Sequence, residues 1–198
     1  MIYRRLPQNS TRKTIRLKGY DYSQSGWYFV TICTENRECV LGNVVNGKMV
    51  LNNIGNMIEK WWNKIPNKFN VILDENQIMP NHIHMIIRIV GADPCVRPHI
   101  SINGSTRGSN GDGSTRGSTP TAVGTMIQWF KTMSTNEYIK NVHNKKWKPF
   151  DKRLWQRNYY EHIIRNETDL NKIREYIKTN PKMWDRDRNN PINVKIKI

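Results

Sequence analysis

The sequence predicts a mixed α/β (α+β) domain, because segments with strand patterning and segments with helix patterning both occur along it. Residues 82–90, "HIHMIIRIV", alternate between two sets of side chains, which is the period of a β-strand. Residues 54–65 instead repeat apolar side chains at the spacing of a helix. The 198 residues suffice for one substantial core.

Further strands are predicted where β-branched and aromatic residues cluster between turn residues. They lie at 26–37, at 69–79, at 153–164, and in a hairpin at 42–52 that turns at Asn46-Gly47. Helices are predicted at 54–65, opened by Asn52 or Asn53, at 122–142, and at 167–180, capped by Asn166.

Basic residues dominate the charge: 32 Lys and Arg face 16 Asp and Glu, for a net charge of +16 and a pI near 10.0. Such an excess attracts polyanions and favours a nucleic-acid partner. Seven tryptophans and eight tyrosines favour unpaired strands, on which they can stack. We expect a cytoplasmic protein with no membrane span or signal segment, and three reduced cysteines that form neither a disulfide framework nor a zinc cluster.

One domain is expected over residues 21–185, with a basic arm at 1–20 and a basic tail at 186–198. The arm is either a solvated tail or a segment that lies on phosphates. Residues 91–121 are rich in Gly, Ser and Thr and repeat "GSTRGS", so we expect a flexible insert within the domain. This insert is either a mobile cover for a substrate groove or a tolerated expansion.

Two histidines on one strand are the first candidate site. His82 and His84 share a face, with imidazoles about 7 Å apart along the strand, a span that one cation could bridge. Such a pair is also typical of a structural pair or half of a zinc site. Tyr176 and Asn180 lie one turn apart on the last helix, where each alone has an ordinary structural interpretation. Together the four residues predict a Mg or Mn site beside a tyrosine nucleophile.

Three sequence blocks carry a resemblance to a known family. They are "IRLKGYDYSQSGWYFVTICTENR", "MPNHIHMII" and "LWQRNYYEHIIRNETDLNKIREYIKTNP". Together they resemble the REP-associated tyrosine transposases, which are single-tyrosine HUH transposases. The resemblance covers nearly all of the chain outside the 91–121 insert. It implies a ferredoxin-like central antiparallel sheet with helices packed on it.

The resemblance also implies cleavage and rejoining of single-stranded DNA at hairpin-forming palindromic elements. Tyr176 matches the nucleophile, and His82, His84 and Asn180 match the metal ligands. Tyr159 and Tyr160 are rival nucleophiles. Two linked cuts imply a homodimer, and exchange of one phosphodiester for another needs no nucleotide cofactor. The expected phosphate contacts are Arg4, Arg5, Arg12, Arg16, Lys18 and Lys131.

Two other functions share most of these features. One is a DNA- or RNA-binding module that has lost catalysis, which would keep the charge and the aromatic residues. The other is an HUH nicking enzyme of plasmid or phage replication, which would share the site chemistry. The intact set of four site residues favours catalysis over binding alone, and the surrounding blocks favour the transposase.

Overall fold

The chain is described here by a computed structural model that covers residues 25–90 and 122–193. Its strands are β1 (Gly26–Cys33), β2 (Gly42–Val45), β3 (Lys48–Leu51), β4 (Val71–Met79), β5 (His82–Ile89) and β6 (Tyr160–Ile164). Its helices are α1 (Asn53–Asn63), α2 (Ala122–His143) and α3 (Glu167–Thr179). Short 3-10 segments lie between or after these elements, and one of them, Asn180–Arg186, directly follows α3.

Four strands form an antiparallel sheet in the order β4-β5-β1-β6, and β2 and β3 form a separate hairpin. The sheet strands and the first two helices follow one another as β1, α1, β4, β5, α2, β6, which is the ferredoxin-like order of elements. The α+β fold class expected from the sequence is therefore confirmed. The register sets Thr31 opposite His84 and Cys33 opposite His82.

The strand alternation sends two different sets of side chains to the two faces of the sheet. One face carries the main core, in which Ile83, Met85 and Ile87 of β5 pack with residues of α1 and α2. The other face carries a smaller apolar cluster under α3, built from Phe29, Ile86, Ile164, Leu170 and Ile177. The histidines belong to this second face, because they alternate with the core residues of β5.

Local signals in the sequence correctly locate two helix starts and one hairpin turn, whereas the predicted strand at 26–37 ends at Cys33 and is followed by a 3-10 segment at Glu35–Arg37. Asn52 caps α1 by accepting hydrogen bonds from the backbone N–H groups of Ile54 and Gly55. Asn166 caps α3 in the same way. Asn46 and Gly47 both have positive φ, as a tight hairpin turn requires.

The predicted strand at 153–164 is longer than the strand in the structure. β6 begins only at Tyr160, and Trp155 makes an isolated bridge to Thr34. Between these points the carbonyl oxygens of residues 156 to 158 accept hydrogen bonds from the ammonium of Lys131 at 2.8–3.4 Å. The alternation of side chains at 153–164 does not record these contacts, because Lys131 is distant in sequence.

Several expectations concern residues outside the described ranges. These are the basic arm at 1–20, the 91–121 insert and the last residues of the predicted tail, 194–198. Residues 186–193 of that tail are described, and Asp187, Asn189 and Asn190 are buried there. None of the helices within the described ranges is long and apolar enough to cross a membrane.

We predict that Gly55→Ala destabilises the protein, although alanine normally stabilises a helix relative to glycine by about 1 kcal/mol. A Cβ at this buried position of α1 would overlap the backbone oxygen of Leu41. We expect a net loss of about 1–3 kcal/mol in the free energy of unfolding, measured by urea denaturation. The exposed neighbour Asn56→Ala is the control and should be neutral or slightly stabilising. Equal or greater stability of Gly55→Ala would contradict the packing.

Candidate active site

Two buried imidazoles meet on the α3 face of the sheet. His82 is 0% and His84 1% exposed, because β5 is an interior strand between β4 and β1. Their Nε2 atoms are 3.0 Å apart and the ring centroids 4.5 Å apart. The rings therefore lean toward each other, well inside the strand spacing of about 7 Å for residues i and i+2.

Neighbouring side chains orient both rings. Asn81 donates its amide hydrogens to two backbone carbonyls, so its Oδ1 faces His82 Nδ1 at 2.8 Å. Since an amide oxygen only accepts, Nδ1 of His82 carries the hydrogen and Nε2 is an acceptor, 3.0 Å from Nε2 of His84. Nδ1 of His84 bonds to the hydroxyl of Thr31, also at 2.8 Å. Both Nε2 atoms are thus directed to the same point.

Burial keeps both imidazoles neutral. It lowers the pKa of His82 to about 3, with smaller contributions from the positive charges of Arg188 and Arg37. Burial and the neighbouring His82 lower the pKa of His84 well below its ordinary value. Neutral imidazole is the form that binds metal ions.

The phenol of Tyr176 reaches this histidine pair from α3. Its hydroxyl lies 3.3 Å from His84 Nε2, and the ring packs edge-on against Phe29. The side chain is 43% exposed, so one side of the phenol is open to solvent. Burial of the rest raises the pKa of Tyr176, and the negative charge of Asp187 adds to this, against the opposing effects of Arg188 and Asn180.

Asn180 lies one helical turn beyond Tyr176, at the start of the 3-10 segment that follows α3. It is 2% exposed, and its Nδ2 donates to Asp187 Oδ2 over 3.1 Å. Among the described residues, the other amide atom, Oδ1, has no hydrogen-bond partner. A buried acceptor without a donor is unfavourable by about 1–3 kcal/mol, which a bound cation would relieve.

Asp187 belongs to the cluster, although the sequence predicts a basic tail over residues 186–198. It is 7% exposed, and its Oδ2 lies 3.9 Å from His82 Nε2. Potential ligand atoms of His82, His84 and Asp187 all lie within 4.8 Å of one another. The sequence contains one feature that indicates an ordered turn at this point, the Asp-x-Asn pattern at 187–189. In the structure, Asp187 Oδ1 accepts a hydrogen bond of 2.6 Å from the backbone N–H of Asn189.

Two arginines flank the cluster. The guanidinium of Arg188 lies over the Tyr160 ring, 5.8 Å from its centroid, and Arg37 donates to the backbone oxygen of Arg188. Arg188 is exposed, and its charge acts on the pKa values of both His82 and Tyr176. The mouth of the site is therefore positively charged.

Of the expected phosphate contacts, Lys131 is the one that falls within the described residues. Lys131 donates to three backbone carbonyls, and burial lowers its pKa to about 8. An ammonium has three N–H groups, and the three carbonyl oxygens occupy them. Its phosphate contact stays a prediction. The other expected phosphate contacts, Arg4, Arg5, Arg12, Arg16 and Lys18, fall outside the described residues.

The cluster fits a divalent cation by the chemistry of its donors. Two neutral imidazoles, a carboxylate and an amide oxygen form a mixed N/O set of the kind that suits Mn²⁺ and, with water and phosphate oxygens, Mg²⁺. Neighbouring ligands of an octahedral ion are about 3 Å apart. The separation between the two Nε2 atoms, 3.0 Å, agrees with this spacing.

Among the known proteins similar to this chain are a curated relative and two solved structures. An uncharacterized protein of Haemophilus influenzae is 39% identical over 180 residues, which cover 89% of this chain and 92% of the relative. A REP-associated tyrosine transposase bound to a REP hairpin is similar at a TM-score of 0.52 and 19% identity, over 85% of this chain and 73% of that chain. A Deinococcus radiodurans protein assigned as a transposase has a TM-score of 0.44 at 14% identity, over 82% of this chain and 96% of its own. No family model matches the chain.

The match at TM-score 0.52 confirms the fold that the three sequence blocks imply. At 19% sequence identity, this similarity concerns the arrangement of the backbone alone.

We predict that Thr31→Val weakens Mn²⁺ binding by about 10- to 100-fold, because the hydroxyl that orients His84 is lost while side-chain volume is kept. Isothermal titration calorimetry with Mn²⁺ measures the effect. Thr132→Val, an exposed change on α2, is the matched control. Wild-type affinity in Thr31→Val would mean that the hydroxyl does not orient a ligand.

Proposed function

We propose that this chain, which belongs to the same family as the Haemophilus influenzae protein and has the fold of a REP-associated tyrosine transposase, cuts and rejoins single-stranded DNA. The resemblance to that group of transposases holds in the three sequence blocks and in the fold. The proposed reaction is a metal-dependent transesterification with Tyr176 as the nucleophile.

One observation carries the proposal: the Tyr176 hydroxyl lies 3.3 Å from Nε2 of a buried, neutral histidine pair. These side chains come from α3 and β5, which are 92 residues apart at this contact. A phenol with a raised pKa is protonated at neutral pH, so a tyrosine nucleophile needs a group beside its hydroxyl that lowers this pKa or accepts the proton. An ion bound by the histidine pair would be such a group.

In the proposed mechanism, the oxygen of Tyr176 forms a bond to the scissile phosphorus and the bond from phosphorus to the 3′ oxygen breaks. The products are a 5′-phosphotyrosine and a free 3′-hydroxyl, and the reverse reaction rejoins DNA without a nucleotide cofactor. His82, His84 and Asn180 would hold a divalent ion, either Mg²⁺ or Mn²⁺. When bound, such an ion supplies positive charge that stabilises the phenolate and the phosphate oxygens.

Substrate binding in this proposal follows the positive charge. The net charge of +16 attracts DNA, and the exposed guanidinium of Arg188 at the mouth of the site would contact a phosphate beside Tyr176. The similar transposase structure contains a REP hairpin, which supports a hairpin-forming single strand as the substrate.

Two linked cuts would require two tyrosines and hence a homodimer. Such a protein would act on DNA in the cytoplasm.

The second candidate is a DNA-binding protein without catalysis. The same charge and fold would serve it, and the exposed guanidinium of Arg188 stacked over Tyr160 favours nucleic-acid contact in either case. The two functions differ in one product, the covalent link between protein and DNA. A replication nickase would form the same link, and only the three sequence blocks favour the transposase over it.

We predict that Tyr176→Phe abolishes the covalent product, with at least about a 10³-fold loss, because the attacking oxygen is missing. The measurement is a denaturing gel with a single-stranded hairpin oligonucleotide labelled at its 3′ end. Tyr159→Phe and Tyr160→Phe are the controls and should retain the product. A persistent adduct in Tyr176→Phe that disappears in Tyr160→Phe would move the nucleophile to β6.

We also predict that removal of divalent ions with a chelator stops formation of the adduct, and that Mn²⁺ restores it. His82→Ala should not respond to Mn²⁺, because the ion loses an imidazole ligand. Hairpin binding, measured by mobility shift in the same buffers, should change little. Adduct formation that continues unchanged in chelator would refute a catalytic ion.

A further inference from the structure

Asp187 carries the charge of the cluster, and we propose that it is a direct ligand of the divalent ion. The inference rests on the proposed function, because it deepens the ion site formed by His82 and His84. It adds an anionic ligand, supplied by the segment after α3, to imidazole and amide donors that carry no formal charge.

The distances fit coordination. Asp187 Oδ2 lies 3.9 Å from His82 Nε2, and the two Nε2 atoms are 3.0 Å apart. Ligands around an octahedral ion are separated by about 3 Å when adjacent and about 4 Å when opposite. Both separations fall within this range, and potential ligand atoms of all three residues lie within 4.8 Å of one another.

Acceptor atoms outnumber donors at this point. The carboxylate of Asp187 receives one N–H from the Asn180 amide and one from the backbone of Asn189. Asn180 Oδ1 is buried and has no hydrogen-bond partner among the described residues. Nε2 of His82, which is an acceptor because Nδ1 carries the hydrogen, is directed to the same place. Acceptors that converge without donors are stabilised by a cation.

A positioning role is the competing interpretation. In that case Asp187 would hold the Asn180 amide in place by accepting from its Nδ2, and would not touch the ion. The two roles depend on different properties of the side chain. Positioning needs an oxygen that accepts a hydrogen bond, whereas ligation of a dication by this residue depends on negative charge. Asp187→Asn keeps the oxygen and removes the charge.

The experiment measures Mn²⁺ affinity on the full chain without DNA, by calorimetry and by the paramagnetic resonance signal of free Mn²⁺. We expect one ion per wild-type chain and an affinity at least about tenfold lower in Asp187→Asn, because ligand charge sets affinity at such sites. Asp185→Asn removes the same charge from an exposed position two residues away. This control should bind Mn²⁺ within about twofold of wild type, since exposed charges at a distance are screened.

Two further measurements separate the possible failures. Loss of Mn²⁺ binding in His82→Ala together with wild-type binding in Asp187→Asn would overturn this inference and leave the proposed function intact. Wild-type binding in both variants, or none in the wild-type protein, would instead refute the ion site of the proposed function. If Asp187→Asn does not fold, anomalous diffraction from Mn²⁺ in wild-type crystals decides: a peak about 2.2 Å from Asp187 Oδ2 supports ligation. A peak beside the imidazoles alone overturns it.

Discussion

The apolar contact between α3 and the sheet determines where the candidate site can form. Ile177 is fully buried against the same face of the sheet that carries the histidines, and its neighbour Tyr176 is thereby held over His84. Ion pairs from Arg174 to Asp74 and from Lys178 to Glu75 tie the outer side of α3 to β4. The apolar contact and the ion pairs together fix the rotation of the helix, and so the position of the phenol.

The second constraint is a buried polar network beneath the histidines. Asn81 bonds to the His82 ring and to the backbone at Arg37 and Asn189, so it joins the start of β5 to the segment after α3. Asp187 lies within that returning segment and contacts Asn180. A network of this kind holds ligands in place before an ion or a substrate arrives, which lowers the cost of binding. It also explains why a segment rich in charged residues is buried at its centre.

Local patterns predicted much of the fold. The period of β5, the caps of α1 and α3 and the turn at Asn46-Gly47 depend on residues close together in sequence, and each was correct. The meeting of β5 with α3 is a different matter, because it joins residues 92 positions apart. It is expected from the chemistry of the four site residues and from the family resemblance, since no local pattern brings these segments together. Asp187 was missed because its burial depends on how the chain returns after α3, and no period records that. The predicted strand at 153–164 was too long because Lys131, distant in sequence, bonds to its backbone.

The central claim is that one phenol and one cluster of buried ligands act on the same phosphate. Mass spectrometry of the protein–DNA adduct, after digestion with nuclease and trypsin, tests it most directly. Trypsin separates the candidates, since Tyr176 falls in the peptide "EYIK" at 175–178 and both rival tyrosines in "NYYEHIIR" at 158–165. We expect the nucleotide phosphate on "EYIK". A phosphate attached to "NYYEHIIR" would contradict the account.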